Sequence, residues 1–207
     1  MKGIFIVLEG PDGSGTTKHT QLLAERMRRE KYDVLLTAEP TEGAIGKEIR
    51  SLLHSQSMPP AEAVQLLFCA DRAQHVQEVI EPALRSGKAV ICDRYSLSTI
   101  IYGAATGVSA QWLKAVNKAF PEPDLTIITL PPADVCMERI RKRAVQDQFE
   151  TELFQRRIYE GYKAVESPTA LFVDTSGEKE EVAEYIWQQV HAHFEPISRE
   201  SITNLHE

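Results

Sequence analysis

A glycine-rich segment close to the N-terminus constrains the fold more than any other part of the chain. An apolar run at residues 4–8 precedes it, and a segment with Leu22 and Leu23 on its first apolar turn follows it. A buried strand, a glycine-rich loop and a helix in this order are typical of a phosphate-binding loop, in which backbone N–H groups and the helix N-terminus bind an anion. An ordinary glycine-rich turn is the alternative, but the preceding strand and Thr17 at the end of the loop argue against it. The residues predicted to surround the phosphates are Gly10, Pro11, Asp12, Gly13, Ser14, Gly15, Thr16 and Thr17.

The loop departs from the usual pattern G-x-x-x-x-G-K-[ST] at one position. Thr16 stands where the pattern has lysine, whereas Thr17 retains the hydroxyl that coordinates Mg²⁺. Lys18 is close in sequence, but two residues along a helix correspond to about 200° of rotation, so we expect it to face away from the loop. The pattern therefore predicts phosphate binding and leaves the source of the catalytic positive charge open.

The rest of the chain alternates strand-like and helix-like segments, which indicates a parallel sheet with helices on both faces. The length suits one well-filled core, so we predict a single α/β domain over residues 1–207. From residue 195 onward the sequence is polar and unpatterned, and we expect a frayed tail there. The strands are predicted at residues 4–8, 34–37, 89–92, 125–130 and 171–174.

The composition excludes several classes of protein. The net charge of −7 and the pI near 5.5 argue against a sequence-independent nucleic-acid binder, which needs a basic surface. No apolar run approaches the roughly 18 residues of a membrane span, and no signal peptide precedes the first strand. The cysteines, Cys69, Cys92 and Cys136, have neither metal-site nor disulfide spacing. We therefore expect a cytoplasmic protein that binds neither nucleic acid nor a membrane.

Charged residues follow the ends of three predicted strands. Asp12 lies in the phosphate loop, Glu39 follows the second strand, and Asp93 and Arg94 follow the third. The carboxyl ends of parallel strands form the edge at which open α/β sheets bind ligands. Such a set suits phosphoryl transfer, which needs positioned cations and Mg²⁺ rather than a protein nucleophile. The alternative for Asp93 and Arg94 is an ion pair that caps the strand at the surface.

Two further groups of residues have both a structural and a functional interpretation. Phe68 alone is typical of a helical core position. Arg72 lies one helical turn later, so its guanidinium, which can donate several hydrogen bonds, would lie beside the aromatic ring of Phe68 and could form a binding pocket with it. A cationic cluster precedes the polar residues 146–148, so it is either a solvated helix face or part of a mobile lid at about residues 143–151. The members of this cluster are Arg139, Arg141, Lys142 and Arg143.

Together these segments resemble the thymidylate kinases, which belong to the P-loop nucleoside monophosphate kinases. The resemblance covers nearly the whole chain, from Gly3 to about Phe194. It implies a P-loop nucleotide kinase fold with a five-stranded parallel sheet and a short lid. It further implies transfer of the ATP γ-phosphate to dTMP with Mg²⁺, and a homodimer. The matching segments are residues 9–13, 37–40, 93–95, 123–126 and 157–162, together with Phe68, Arg72, Ser98 and Tyr102.

The resemblance also assigns roles around the base and the sugar of the acceptor. Phe68 would stack on thymine, Arg72 would bond its exocyclic oxygen, and Thr99 would contact the base. Tyr102 would exclude a ribose 2′-hydroxyl, and Asp12 would contact the sugar 3′-hydroxyl.

The same resemblance assigns further residues to the phosphate groups. Arg94 would hold the acceptor phosphate beside Asp93, which with Thr17 would bind the metal. Of the remaining cations of the chain, we expect Arg139 to contact ATP and Arg143 to act in catalysis from the lid. The other positions assigned to the acceptor nucleotide are Glu39, Ser98 and Tyr162.

Four positions depart from the family pattern. Besides Thr16, the chain has Ala38 where an arginine is usual, Gly103 where a glutamine is usual, and Gln148 where the lid usually has an arginine. Two of these changes remove positive charge from the path of the phosphate. Two alternatives therefore stay open: a kinase for another nucleoside monophosphate, and a nucleotide-binding homologue with weak or lost catalysis.

Overall fold

The computed structural model describes residues 3–55, 57–142 and 152–203, and it describes side chains as far as Phe194. The predicted lid at residues 143–151, which includes Arg143 and Gln148, lies outside the described residues. The described part of the chain is an α/β domain whose strands form one sheet.

The sheet has five strands in the order β2-β3-β1-β4-β5, and every neighbouring pair is parallel. This arrangement confirms the five-stranded parallel sheet and the P-loop kinase fold expected from the sequence. The strands are β1 Ile4–Glu9, β2 Val34–Ala38, β3 Ala89–Asp93, β4 Leu125–Thr129 and β5 Ala170–Val173.

Helices connect the strands and cover both faces of the sheet. A π-helical turn, Val76–Ile80, joins α3 to α4, and the last helix continues to Thr203, beyond the point at which the polar sequence predicts a frayed tail. Among the residues described, no helix combines the length and the apolar character that crossing a membrane requires. The helices are α1 Thr16–Arg29, α2 Ala44–Leu53, α3 Ala61–His75, α4 Glu81–Arg85, α5 Ser96–Ala105, α6 Ala110–Asn117, α7 Ala133–Arg141, α8 Glu152–Lys163 and α9 Lys179–Thr203.

The first strand lies at the centre of the sheet because its side chains are apolar on both faces. Ile6 and Leu8 pack against α1 and α9, whereas Phe5 and Val7 pack against the π-helical turn and α4. All four side chains are at most 1% exposed. Burial of an aliphatic or aromatic side chain contributes about 1.5–3 kcal/mol, so this strand anchors both layers of helices.

The position of the first strand also determines where a ligand can bind. The connection from β1 runs to β2, whereas the connection from its neighbour β4 runs to β5 at the opposite edge of the sheet. Because these two connections diverge, a crevice opens between them at the carboxyl end of β1. The loop over residues 10–15 begins there, and Arg94 follows the adjacent end of β3. The backbone N–H of Arg94 donates to the carbonyl of Leu8 at 2.9 Å, which holds the two strand ends together.

Candidate active site

The backbone of the loop between β1 and α1 requires glycine. Gly13 and Gly15 have φ angles of 79° and 91°, in the left-handed region that other residues rarely adopt. At Gly10, a Cβ atom would lie 2.5 Å from the carbonyl oxygen of Thr129, so the loop passes directly over the end of β4. The glycine spacing in the sequence therefore reflects close packing as well as a tight turn.

Hydroxyl groups from the strand ends fix this loop from below. The Ser14 and Thr129 hydroxyls form a hydrogen bond of 2.8 Å, and the Thr175 hydroxyl donates to the Ser14 carbonyl at 2.5 Å. These contacts tie the loop to the ends of β4 and β5.

The N-terminus of α1 completes the phosphate cradle. Gly15 occupies the N-cap position without a side-chain cap, and the first turn of the helix has no acidic residue. The first N–H groups of the helix are therefore available to an anion, with the positive end of the helix dipole behind them. Thr16 is only 5% exposed, whereas Lys18 is exposed.

A hydroxyl and a carboxylate meet at the mouth of the loop. The Thr17 hydroxyl donates to Asp93 Oδ2 at 2.5 Å, and Asp93 Oδ1 is buried without a hydrogen-bond partner among the described residues. The described part of the chain has no cluster of three His, Cys, Asp or Glu side chains suited to a metal ion. A pair of oxygen ligands suits Mg²⁺, which commonly binds through one or two carboxylates, waters and substrate phosphates.

Arg94 connects the phosphate loop to the neighbouring cavity. Its Nη1 donates to the Gly10 carbonyl at 2.9 Å, and its Nη2 forms an ion pair of 2.6 Å with Asp12 Oδ1. The other oxygen of Asp12 accepts from Gln155 Nε2 at 2.9 Å. The guanidinium also lies over the Tyr102 ring, 5.4 Å from its centroid. These contacts place one cation and one carboxylate at the boundary between two ligand sites.

The cavity beside Arg94 has a volume of about 140 Å³. It contains seven of the eight residues assigned to the acceptor nucleotide from the sequence, and Asp12 as well. Tyr162 is the exception, because it is buried behind the cavity wall. The residues that line the cavity are Asp12, Glu39, Pro40, Leu53, Gln65, Phe68, Arg72, Arg94, Tyr95, Ser98, Thr99 and Tyr102.

Arg72 is buried and has several partners. Its Nε and Nη2 contact Glu39 Oε2 at 2.9 and 2.7 Å, and its Nη2 donates to the Thr99 hydroxyl at 3.0 Å. Nη1 donates to the Asn117 side chain on α6, and the guanidinium lies 4.9 Å from the centroid of the Tyr95 ring. Arg72 therefore supports the cavity wall, in addition to the ligand contact that the sequence suggests.

A buried carboxylate explains the position of Tyr162. Glu9 accepts from the Tyr162 hydroxyl at 2.9 Å, from the Ser98 hydroxyl at 2.5 Å and from the Tyr95 backbone N–H at 2.9 Å. Desolvation raises the pKa of Glu9 above its usual value, although these hydrogen bonds and the charge of Arg94 oppose the rise. Tyr162 thus contacts Glu9 and Ser98, and Ser98 itself lines the cavity.

Arg139 lies on the opposite side of the phosphate loop. Its guanidinium donates to the carbonyl of Gly13 at 3.2 Å and to the carbonyl of Thr175 at 2.8 Å. The sequence assigned it to ATP, and the structure places it against the loop that would hold the phosphates. That contact stays a prediction.

Several residues of this site were not among those predicted from the sequence to act there, including Glu9, Gln65, Asn117 and Gln155. Glu9 has a weak signal, since it is an acidic residue at the end of an apolar strand. Gln65, Asn117 and Gln155 are polar residues on amphipathic helices, and they are at most 6% exposed. Their roles depend on which helices meet at the cavity, so no local pattern identifies them.

The family model and three relatives that match this sequence all carry the name of one enzyme family. A family model described as thymidylate kinase matches residues 8–186. A protein named "Probable thymidylate kinase" from Pyrococcus horikoshii is 44% identical over 168 residues, which cover 78% of this chain and 82% of that protein. Two proteins named "Thymidylate kinase" are each 38% identical. The one from Halothermothrix orenii is matched over 92% of this chain and 97% of its own length, and the one from a Synechococcus species over 90% and 94%.

Proposed function

The chain belongs to the thymidylate kinase family, and we propose that ATP binds at its phosphate loop while dTMP binds in the cavity beside Arg94. The enzyme is a kinase that phosphorylates dTMP to dTDP. The proposal assigns this reaction to particular side chains.

One observation supports this assignment above the others. Arg94 bonds to two residues of the phosphate loop, Gly10 at 2.9 Å and Asp12 at 2.6 Å, and both Arg94 and Asp12 also line the acceptor cavity. A donor phosphate in the loop and an acceptor phosphate in the cavity would therefore approach each other across one guanidinium. Phosphoryl transfer depends mainly on such positioning and on neutralising the charge of the phosphates.

The side chains at the junction have complementary tasks in this proposal. The N–H groups of the loop and of the first turn of α1 bind the ATP phosphates. Thr17 and Asp93 hold Mg²⁺, which when bound neutralises negative charge on the transferred group. Arg94 binds the phosphate of dTMP, whose own oxygen is the nucleophile, so the enzyme needs no nucleophilic side chain.

The cavity contains groups suited to a deoxynucleoside. Phe68 offers an aromatic face to the base, and Arg72 and Thr99 offer hydrogen-bonding groups beside it. Asp12 is held by Arg94 and Gln155 at the end of the cavity nearest the phosphates, where it would accept from the sugar 3′-hydroxyl. The Tyr102 ring would occupy the space of a ribose 2′-hydroxyl.

A coupled assay of ADP formation tests the proposal. The protein would receive ATP, Mg²⁺ and a panel of dTMP, dUMP, dCMP, dGMP, dAMP and UMP. We expect the highest kcat/KM with dTMP and loss of turnover in Arg94→Ala. Arg85→Ala is the matched control, because Arg85 forms an exposed pair with Glu81 far from the site. Higher kcat/KM with another monophosphate, or an Arg94→Ala variant as active as Arg85→Ala, would contradict the assignment.

Two further predictions from the sequence concern the assembly and the compartment. We propose a homodimer in the cytoplasm, as the resemblance and the three unpaired cysteines suggest. Light scattering at several protein concentrations would measure the mass, and a stable monomer would refute the first part. Fractionation of the source cells would test the second part.

A further inference from the structure

A glutamine on α3 that the proposed chemistry does not use lies in the wall of the acceptor cavity. Gln65 is 1% exposed, and its Oε1 atom is buried without a hydrogen-bond partner in the part of the chain that the structure describes. Gln65, Phe68 and Arg72 are spaced i, i+3 and i+7, so they occupy one face of the helix, and all three line the cavity. A buried amide oxygen without a partner is rare in native proteins, and it suggests a missing ligand.

A glycine on the facing helix leaves room for this side chain. A Cβ atom at Gly103 would lie 3.0 Å from Gln65 Cγ and 3.2 Å from Gln65 Cδ, closer than side-chain atoms normally approach. The absence of a side chain at position 103 therefore lets the glutamine lie against α5. The amide is held by packing, and its Oε1 atom has no hydrogen-bond partner among the described residues.

Three other polar residues in the wall of the cavity, Arg72, Thr99 and Glu39, already have hydrogen-bond partners. The Arg72 guanidinium only donates hydrogen bonds, and the Thr99 hydroxyl already accepts one from it. The oxygens of Glu39 accept from Arg72 and interact with His75 at 3.0 Å. Thymine has an N–H group at ring position 3, between two carbonyls, and that group needs an acceptor when it is buried. The unpaired oxygen of Gln65 meets this requirement.

We propose that the side-chain amide of Gln65 recognises the imide edge of the pyrimidine in the acceptor nucleotide. Oε1 accepts from the ring N–H, and Nε2 donates to the adjacent carbonyl oxygen. Gln65 is then a specificity-determining residue on α3. This inference rests on the proposed function, since it assumes that the cavity binds dTMP.

Calorimetric titration with two ligands tests the inference without requiring turnover. The ligands are dTMP and 2-deoxyribose 5-phosphate, which has the same sugar and phosphate but no base. The variants are Gln65→Leu and Gln65→Met, which keep the volume and remove the amide. Gln74→Leu is the matched control, because Gln74 is an exposed glutamine on the same helix that bonds to Glu78.

We expect both Gln65 variants to bind dTMP about 10-fold more weakly and 2-deoxyribose 5-phosphate as the parent does. Their Tm should be unchanged or higher, because an unpaired buried amide has been removed. A dTMP affinity within about twofold of the parent would overturn the inference, as would equal weakening of both ligands. Failure of both variants to fold would identify Gln65 as a structural residue and would also overturn it.

Failure of the proposed function is distinguishable from failure of this inference. If the parent protein does not bind dTMP at all, the assignment of the cavity is wrong and the inference falls with it. If the parent binds dTMP and Gln65→Leu binds it equally well, only the role of Gln65 is wrong.

Discussion

Replacement of Arg72 by alanine should destabilise the fold strongly, because it leaves a buried carboxylate without its cation. The side chains of Arg72 and Glu39 are 1% and 3% exposed and lie 2.7 Å apart. After the substitution, the Glu39 carboxylate would keep, among the described residues, only its contact with His75. Thr99 and Asn117 would each lose the bond from the guanidinium. Removal of one member of a buried ion pair typically costs about 3–5 kcal/mol. For a protein of this size, that corresponds to a fall in Tm of roughly 6–20 °C.

Urea unfolding followed by circular dichroism would measure this loss. The parent, Arg72→Ala and the surface control Arg85→Ala would be compared at neutral pH, with equal m-values confirming the same transition. The control should change the free energy of unfolding by less than about 1 kcal/mol, since its ion pair is exposed. The double variant Arg72→Met/Glu39→Leu should recover much of the loss, because it removes both charges. If Arg72→Ala lowers the free energy of unfolding no more than Arg85→Ala does, the buried pair does not stabilise the fold.

The same substitution changes the kinetics, and these must be measured under conditions in which the variant is folded. Loss of a charged hydrogen bond to the base should raise KM for dTMP roughly 10- to 100-fold, with ATP binding nearly unchanged. Equal weakening of both nucleotides would contradict the placement of Arg72 beside the base.

Three other predictions concern the loop, the sugar and a buried carboxylate. We expect kcat of the parent to lie below the roughly 1–100 s⁻¹ of typical kinases, and Thr16→Lys should raise kcat several-fold. If instead Thr16→Lys changes kcat little and Arg143→Ala abolishes turnover, the lid supplies the positive charge that the loop lacks. Tyr102→Phe should keep the preference for dTMP over its ribose analogue in a competition assay, whereas Tyr102→Ala should relax it; an alanine variant that discriminates as the parent does would refute the steric role. In the folded protein the pKa of Glu9 is raised above 4.5, so ionisation of Glu9 destabilises the fold, and the free energy of unfolding of the parent should fall relative to that of Glu9→Gln as the pH rises from 4.5 through the raised pKa. Denaturant unfolding of both proteins across this pH range would measure the difference. A difference that does not change with pH would refute the raised pKa.

Local pattern alone determined the framework of this protein. The apolar run at residues 4–8 predicts the central strand because only a strand buried on both faces tolerates it, and the glycines that follow predict the loop because two of them need positive φ angles. The polar residues that end the strands, such as Asp93 and Arg94, were placed correctly at one edge, since all parallel strands present their carboxyl ends there. The resemblance to a family predicts which helix residues would surround the acceptor, and most of these residues line one cavity.

Tertiary packing decided what those residues contact. Tyr162 matches a family motif, yet it bonds to the buried Glu9 behind the wall, because α8 packs against Ile101 of α5 and Ile128 of β4. Arg72 lines the cavity and also bonds to Glu39 after β2, because α3 lies beside the end of that strand. Gln65 lines the acceptor cavity because Gly103 on a different helix leaves space for it. A helical pattern shows which residues share a face, but only the assembled helices show which polar group on that face is left without a partner.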